Sequence, residues 1–150
     1  MKKPQNEVKC TFLSLSQNEA LARSIVTGFM LPLDPDVEEL ADIRCAVSEA
    51  VTNCIVHAYR GTVGNVSMVL RCYDDRRIKI VVSDKGCGIE DIKTARMPLF
   101  TTAPDEDRCG MGFSIMESFC DTMTVFSKPG GGTRVTLVKR LSSSKKLAPT

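Results

Sequence analysis

The 150-residue sequence predicts an α/β fold of the two-layer α+β sandwich type. In this fold a mixed, mostly antiparallel sheet is covered on one face by helices. Two observations predict it. Segments of alternating apolar and polar residues occur in adjacent pairs typical of β-hairpins. Two stretches with apolar residues at every third or fourth position lie between the first strand and these hairpins, which is typical of amphipathic helices. Such an order of elements favours a sheet with helices on one face.

The first strand and helix are predicted from the N-terminal thirty residues. Apolar side chains alternate with polar ones in a short run, which predicts a strand: Val8, Cys10 and Phe12. Ser16 and Glu19 form a capping-box pattern, in which each side chain accepts the free backbone N–H of the other residue. We expect a helix from this box to about Leu31, where Pro32 ends it.

A longer second helix is expected from Pro35 to about Tyr59. Asp34 is its predicted N-cap, and Pro35 suits the first helical position because its missing N–H has no partner there anyway. Apolar residues recur along it at helical spacing: Leu40, Ile43, Val47, Ala50, Val51, Cys54 and Ala58. Gly61 and Gly64 follow this stripe and are expected to end the helix.

The remainder predicts two hairpins, a long loop and a third helix. Alternating apolar positions predict four strands, at 66–72, 78–84, 123–127 and 134–140. Residues 97–109 have no clean period, and a loop of this length in a compact domain is usually a functional lid or disordered. We expect a short helix at 112–119. The domain should therefore cover residues 1–141, and 142–150 should form a polar, flexible tail.

Composition restricts the class of partner. Lys plus Arg number 20 and Asp plus Glu number 18, and this near balance argues against direct nucleic-acid binding and against a polybasic membrane surface. No apolar run approaches the ~20 residues of a membrane-spanning helix. The seven cysteines are scattered without a C-x-x-C pair, which predicts free thiols in a reducing cytoplasm, and a single histidine weakens a zinc site further.

Three weak motifs carry the chemistry. Glu49, Asn53 and His57 are spaced four apart, so they share a helix face opposite the apolar stripe; alone, such a row is typical of a solvated surface. Asp84 follows a predicted strand and heads a D-x-G-x-G motif, which alone is more typical of a turn. A Gly-x-Gly motif at 110–112 precedes a helix, where free N–H groups favour phosphate, although a plain loop–helix junction has the same pattern.

Taken together, these motifs can hold one ATP. The Asp84 carboxylate can accept a hydrogen bond from the adenine amine, while Gly86 and Gly88 allow close approach to the backbone. Gly110 and Gly112 suit the phosphates, and Asn53 suits Mg²⁺. From about residue 34 to 140 the set resembles the Bergerat-type ATP-binding fold, or GHKL family, of histidine kinases and of gyrase-type, chaperone and mismatch-repair ATPases.

Three segments resemble one branch of that family more closely. Residues 48–53, 98–102 and 108–113 are similar to the anti-sigma F factors of spore-forming bacteria, which are small serine kinases. The resemblance implies that Glu49 is the catalytic base for a serine hydroxyl and that Asn53 is the Mg²⁺ ligand. It implies that the following residues contact ATP: Asn53, His57, Asp84, Gly86, Gly88, Ile89, Thr101, Arg108, Gly110, Met111, Gly112, Phe113 and Thr133. It implies partner contacts at Glu19, Arg23, Asp107 and Arg108.

The resemblance also implies a cytoplasmic homodimer that binds and inhibits a sporulation sigma factor of the sigma F type. ATP would support this binding, and a serine of the anti-anti-sigma antagonist would be phosphorylated. Three alternatives stay open at this point. They are an ATP-binding interaction module without kinase activity, an anti-sigma kinase of a stress-response pathway, and an interaction domain that binds no nucleotide. Taken without the resemblance, Arg23 is typical of a solvated helix charge.

Overall fold

The computed structural model describes residues 2–89, 91–96 and 112–142. In chain order its elements are β1 Asn6–Leu13, α1 Gln17–Met30, a 3₁₀ turn Leu31–Leu33, α2 Val37–Asn53, a π-helical segment Cys54–Ala58, β2 Asn65–Cys72, β3 Arg77–Asp84, α3 Ile92–Ala95, α4 Gly112–Phe119, β4 Thr122–Ser127 and β5 Thr133–Arg140. None of the helices within these ranges is long and apolar enough to cross a membrane.

The strands form one sheet in the order β1-β2-β3-β5-β4. Each of the four pairings between described strands is antiparallel, so the predicted α+β fold class and both predicted hairpins are confirmed. Because β3 pairs with β5 rather than β4, the end of β3 lies beside the start of β5, and Asp84 is the register partner of Thr133. The topology thus brings two residues together that are far apart in the sequence.

One face of the sheet and the helices share a single hydrophobic core. Val66, Met68 and Leu70 alternate inward along β2 and are fully buried, as the two-residue period of a strand requires. Val47 and Val51 of α2 are equally buried and belong to the same cluster. Full burial of side chains of this size stabilises the fold by about 1.5–3 kcal/mol each. The predicted apolar stripe of the second helix therefore faces the sheet.

The predicted capping box of the first helix is wrong. Ser16 is the N-cap of α1, but it lies in the right-handed helical region (φ −57°, ψ −33°) and its side chain makes no capping hydrogen bond. An N-cap that bonds the following backbone N–H groups usually has extended dihedrals. Glu19 has other partners: its carboxylate accepts the Ser48 hydroxyl and pairs with the Arg23 guanidinium, Nε to Oε1 at 3.1 Å.

The predicted start of the second helix is also wrong. Asp36, not Asp34, is the N-cap of α2, and it forms a capping box with Glu39. The Glu39 backbone N–H donates to Asp36 Oδ1 at 2.7 Å, and the Asp36 N–H donates to Glu39 Oε1 at 3.1 Å. Asp34 has no Glu or Gln three residues later. It has a left-handed φ of 51° and ends the 3₁₀ turn instead.

The last turn of the second helix changes its hydrogen-bonding pattern. The α-helix ends at Asn53, and Cys54–Ala58 is π-helical, closed by the Tyr59 N–H on the Cys54 carbonyl at 3.3 Å. A π turn contains one residue more per hydrogen-bonded ring, so the regular α-helical spacing that relates Glu49 to Asn53 does not continue to His57. The sequence prediction placed all three on one α-helical face. Single π turns occur frequently at functional sites.

The C-terminal end of the described chain forms hydrogen bonds with the first turn of α2. Glu39 is buried, and its carboxylate accepts the Ser142 N–H at 2.7 Å and the Ser142 hydroxyl at 3.1 Å. The Arg76 side chain donates from Nε to the Ser142 carbonyl at 2.7 Å. Leu141, one residue earlier, is buried in the core. Ser142, which the sequence assigns to a flexible tail, is therefore fixed; residues 143–150 lie outside the described ranges.

Six of the seven cysteines lie in the described ranges, and all six are free thiols, as predicted: Cys10, Cys45, Cys54, Cys72, Cys87 and Cys120. Burial raises the pKa of the Cys120 thiol to about 11. Burial, and then the nearby Asp84 carboxylate, raise the pKa of the Cys54 thiol well above its usual value. Both thiols are therefore neutral at physiological pH.

The Glu39 contacts predict a measurable contribution to stability. Glu39→Ala removes the carboxylate that serves both the capping box and Ser142, and we expect a loss of about 2–3 kcal/mol in the free energy of unfolding. The matched control is Glu38→Ala, which removes an exposed carboxylate from the same helical turn. Urea unfolding followed by circular dichroism measures both. Equal losses in the two variants would contradict the role of Glu39.

Cys120 predicts a loss of stability at high pH. Its folded-state pKa of about 11 lies above the value of about 8.5 expected in the unfolded chain. The unfolded state therefore releases this proton first, so the contribution is complete below about pH 8.5 and is lost as the pH rises toward 11. Urea midpoints measured across this window should fall less steeply for Cys120→Ala than for the wild type. Identical slopes would show that the thiol is not linked to folding.

Candidate functional site

Asp84 is fixed at the end of β3 by backbone donors. Its Oδ1 accepts the Gly86 N–H at 2.9 Å and the Thr133 N–H at 3.2 Å. The Cys54 thiol also hydrogen-bonds to this carboxyl group. A carboxylate has about four acceptor sites, and the described chain supplies three donors. The orientation of Asp84 is therefore set by the protein, and capacity to accept one further hydrogen bond remains.

The loop after Asp84 packs on the π-helical segment that follows α2. The Cys87 N–H donates to the Ala58 carbonyl at 3.1 Å, and the Cys87 thiol lies 3.3 Å from the His57 carbonyl. These carbonyls belong to the last turn of the helix, where no intrahelical donor is left for them. Tyr59 adds a third connection, because its hydroxyl accepts the Lys85 N–H at 2.7 Å.

Tyr59 joins three elements through one hydroxyl group. It is buried, accepts the Lys85 N–H and donates to the Asn65 carbonyl at 2.8 Å. A Cβ at Gly64 would collide with its ring, so the glycine that was expected to end the helix also makes room for this side chain. Tyr59, which follows the π-helical segment, thus connects that segment by hydrogen bonds to the start of β2 and to the residue after β3.

The glycines of the D-x-G-x-G motif are required by contacts within the chain. A Cβ at Gly86 would collide with the Ala58 carbonyl oxygen. Gly88 has a φ of 74°, and a Cβ there would collide with the Lys128 carbonyl oxygen. The sequence prediction assigned these glycines to close approach of a ligand. In the structure both bring the loop close to other parts of the backbone.

Ser127 connects this loop to the β4–β5 turn. Its oxygen accepts the Ile89 N–H at 2.8 Å, and its hydroxyl donates to the Gly132 carbonyl at 2.9 Å. The Thr133 hydroxyl lies 2.9 Å from the same oxygen. Because Ser127 has a single hydroxyl proton, and the Gly132 carbonyl accepts it, Thr133 must be the donor in the third contact. The lone pairs of the Thr133 hydroxyl are left to accept a hydrogen bond.

A second polar cluster lies where α4 begins. A Cβ placed on Gly112 would lie 3.1 Å from Glu49 Oε2 and 3.3 Å from both terminal atoms of Asn53. Glu49 and Asn53 are half-buried rather than on an open surface, because the first turn of α4 packs next to them. The first N–H groups of an eight-residue helix have no intrahelical acceptor and favour an anion. Phe113 is buried and anchors this helix in the core.

The two clusters are joined by consecutive residues. Asn53 borders the start of α4, and Cys54 contacts Asp84. The structure therefore brings together most of the predicted nucleotide-binding positions within the described ranges at one end of α2. Glu19 and Arg23 lie elsewhere, on α1. Five predicted site residues lie outside the described ranges: Thr101, Asp107, Arg108, Gly110 and Met111.

Sequence reasoning missed three residues that shape the site. Cys54 was counted only as part of the apolar stripe, Tyr59 only as a helix end and Ser127 only as a strand residue. A usable signal exists for Tyr59, because a tyrosine next to a buried helix end needs a partner for its hydroxyl. The partners of Cys54 and Ser127 are distant in the chain, so a single sequence gives no signal for them.

Comparison with known proteins supports one family. Residues 13–139 match the family described as histidine kinase-like ATPase domain. An anti-sigma F factor of Thermoanaerobacter sp. (strain X514) is 49% identical over 140 residues, which are 93% of this chain and 97% of the relative. An anti-sigma F factor of Pasteuria penetrans is 46% identical over 148 residues, with 96% and 97% covered.

Solved structures agree on the fold. The structure of the RsbU and RsbW domains of a Mycobacterium tuberculosis protein superposes with a TM-score of 0.71 at 20% identity, covering 97% of this chain and 35% of that one. A blue-light activated histidine kinase of Erythrobacter litoralis gives a TM-score of 0.55 at 26% identity, covering 76% and 34%. This chain spans about a third of the length of each of these two solved chains. Its histidine kinase-like ATPase domain implies ATP binding, and the chain belongs to the anti-sigma F factor family.

Proposed function

We propose that this protein is an anti-sigma factor with ATP-dependent serine kinase activity. It binds and inhibits a sporulation sigma factor of the sigma F type and phosphorylates a serine of the anti-anti-sigma antagonist. The observation that carries the proposal is the meeting of two clusters at one end of α2, Asp84 with Cys54 and Thr133, and Glu49 with Asn53 beside Gly112. The similarity of this chain to anti-sigma F factors supports the proposal.

The adenine end of the proposed site is Asp84. Its oriented carboxylate accepts one proton of the 6-amino group of adenine. Guanine carries an oxygen at that position, and two acceptors facing each other would leave a buried polar group unpaired at a cost of about 1–3 kcal/mol. The site should therefore prefer ATP to GTP. The other proposed contacts to adenine lie in the loop after β3 and at the start of β5, close to Asp84: Gly86, Gly88, Ile89 and Thr133.

The phosphate end is the start of α4. The backbone N–H groups of Gly112 and Phe113, in the first turn of α4, are the proposed donors to phosphate oxygens, and the helix dipole favours the negative charge of the phosphates. The side-chain oxygen of Asn53 is the proposed Mg²⁺ ligand, and it suits an ion that keeps waters and phosphate oxygens as its other ligands. Mg²⁺ neutralises phosphate charge. We propose five further contacts to the nucleotide: His57, Thr101, Arg108, Gly110 and Met111.

Glu49 is the proposed catalytic base. It lies one helical turn before Asn53, and its carboxylate is half-buried beside the first residue of α4. In the proposed step Glu49 takes the proton of the substrate serine, the serine oxygen forms a bond to the γ-phosphorus, and ADP leaves as the bond to the β–γ bridging oxygen breaks. A residue that only binds nucleotide has no need of a carboxylate at this position.

Protein partners are proposed to contact α1 and the segment around residue 107. Glu19 and Arg23 form an ion pair on the α1 surface, and Asp107 and Arg108 belong to the predicted lid. The sigma factor and the anti-anti-sigma protein are the two partners, and the protein acts as a homodimer in the cytoplasm. Neither nucleic acid nor membrane is part of the proposed function. The names of the relatives support a sigma factor as partner.

Asp84→Asn tests the adenine assignment. The amide keeps one oxygen for the Gly86 and Thr133 N–H groups but turns the other position into a donor, which would face the adenine amine. We expect ATP affinity, measured by isothermal titration calorimetry, to fall at least about tenfold. Asp74→Asn, in the exposed β2–β3 turn, is the matched control and should bind as wild type. Unchanged ATP affinity in Asp84→Asn would remove Asp84 from the site.

Glu49→Gln tests the catalytic role. The variant keeps the shape of the side chain but cannot take a proton, so we expect Mg-ATP binding to persist while serine phosphorylation slows by about 100-fold or more. Glu38→Gln on the exposed face of the same helix is the control. Labelled ATP, the anti-anti-sigma protein and phosphosite mapping measure transfer. Full activity in Glu49→Gln would exclude it as the base, and absence of transfer by the wild type would favour a binding module without kinase activity.

A further inference from the structure

A polar contact links α1 to α2 one residue before Glu49. The Ser48 hydroxyl donates to Glu19 Oε1, and the same carboxylate pairs with Arg23 on the next turn of α1. Glu19 is three-quarters buried at its side chain, with 25% exposed, whereas Arg23 is 39% exposed. The three side chains therefore form a chain of contacts from the nucleotide-binding helix to the protein surface. We call it the Ser48–Glu19–Arg23 link.

The Arg23 guanidinium keeps donors available within this link. One terminal nitrogen donates to Glu19 Oε2 at 3.3 Å, which is long for a charge-assisted hydrogen bond. Nε lies 3.1 Å from Oε1 but has no hydrogen-bond partner, although it is buried. A guanidinium carries five N–H donors, so an ion pair of this geometry leaves it able to bind a further carboxylate.

Ser48 adds a hydrogen bond to the carboxylate that pairs with this guanidinium. Glu19 and Arg23 are four residues apart on one helix, and an ion pair at this spacing alone fixes side-chain geometry weakly, at about 0.3–0.5 kcal/mol. The hydroxyl of Ser48 adds a donor from a second helix and holds the carboxylate in one orientation. Ser48 itself is fixed in the interior of α2, where its carbonyl accepts the Thr52 hydroxyl at 2.6 Å.

We propose that Ser48 is a positioning residue for protein recognition, which holds Glu19 so that Arg23 is presented at the α1 surface to a carboxylate of the protein partner. This inference rests on the proposed function, since it needs the sigma factor as the partner. It assigns to Ser48 a role that neither nucleotide binding nor phosphoryl transfer requires. The bound partner completes the hydrogen bonds of Arg23 that Glu19 leaves unmade.

The experiment compares hydroxyl and methyl groups at position 48. Ser48→Ala removes the donor, Ser48→Thr keeps it, and Ser67→Ala removes a hydroxyl from the sheet face away from the helices as a matched control. Affinity for the purified sigma factor is measured by surface plasmon resonance in the presence of Mg-ATP. ATP affinity is measured separately by calorimetry, and thermal unfolding shows that each variant is folded.

We expect Ser48→Ala to weaken sigma factor binding about five- to tenfold while ATP affinity stays at the wild-type value. Ser48→Thr should restore binding, and Ser67→Ala should leave it unchanged. Because the link acts through Arg23, Ser48→Ala combined with Arg23→Ala should bind no more weakly than Arg23→Ala alone.

Two results in the sigma-binding measurements would overturn the inference while leaving the proposed function intact. One is wild-type sigma binding by Ser48→Ala, and the other is an additive loss in the double variant. Equal loss of sigma and ATP affinity in Ser48→Ala would also contradict it, since that would indicate a general disturbance of α2. Absence of sigma binding by the wild-type chain would instead contradict the proposed function itself, and the inference with it.

Discussion

The carbonyl groups at the end of the π-helical segment that follows α2 are the constraint on which the rest of the site depends. At the end of the π-helical segment, the Ala58 carbonyl accepts the backbone N–H of Cys87 and the His57 carbonyl accepts its thiol, and Cys87 lies in the loop after β3. A helix end inside a domain needs such donors. Here they come from the same loop that carries Asp84, so one set of hydrogen bonds completes the helix and fixes the candidate adenine contact.

Several features follow from this docking. Gly86 is required because a side chain would collide with the Ala58 carbonyl, and Cys54, the first residue of the π segment, contacts Asp84. Asn53, the residue before it, ends the α-helical part and borders α4. The two polar clusters are therefore held by one rigid element rather than by separate loops. A site built in this way can be preorganised for a ligand that spans both clusters.

The sequence predicted the five strands and the two hairpins well, because the two-residue period of half-buried strands is a local signal. The pairings of β1 with β2 and of β3 with β5 were not predicted, because they join segments that are distant in the chain. Helix starts were less predictable. Ser16 with Glu19 and Asp36 with Glu39 have the same spacing, yet only the second pair forms a capping box, since Ser48 and Arg23 engage Glu19. The hydrogen bonds from Tyr59 to Lys85 and from Ser127 to Ile89 join residues 26 and 38 positions apart, and no local sequence pattern indicates such contacts.

The central claim is that both clusters bind one ATP from opposite ends. A crystal structure with Mg²⁺ and a non-hydrolysable ATP analogue tests it most directly. The account predicts the adenine amine within hydrogen-bond distance of the Asp84 carboxylate and the phosphates at the N-terminus of α4 beside Asn53. A nucleotide seated away from Asp84, or one whose phosphates leave Asn53 and Gly112 without contact, would contradict it.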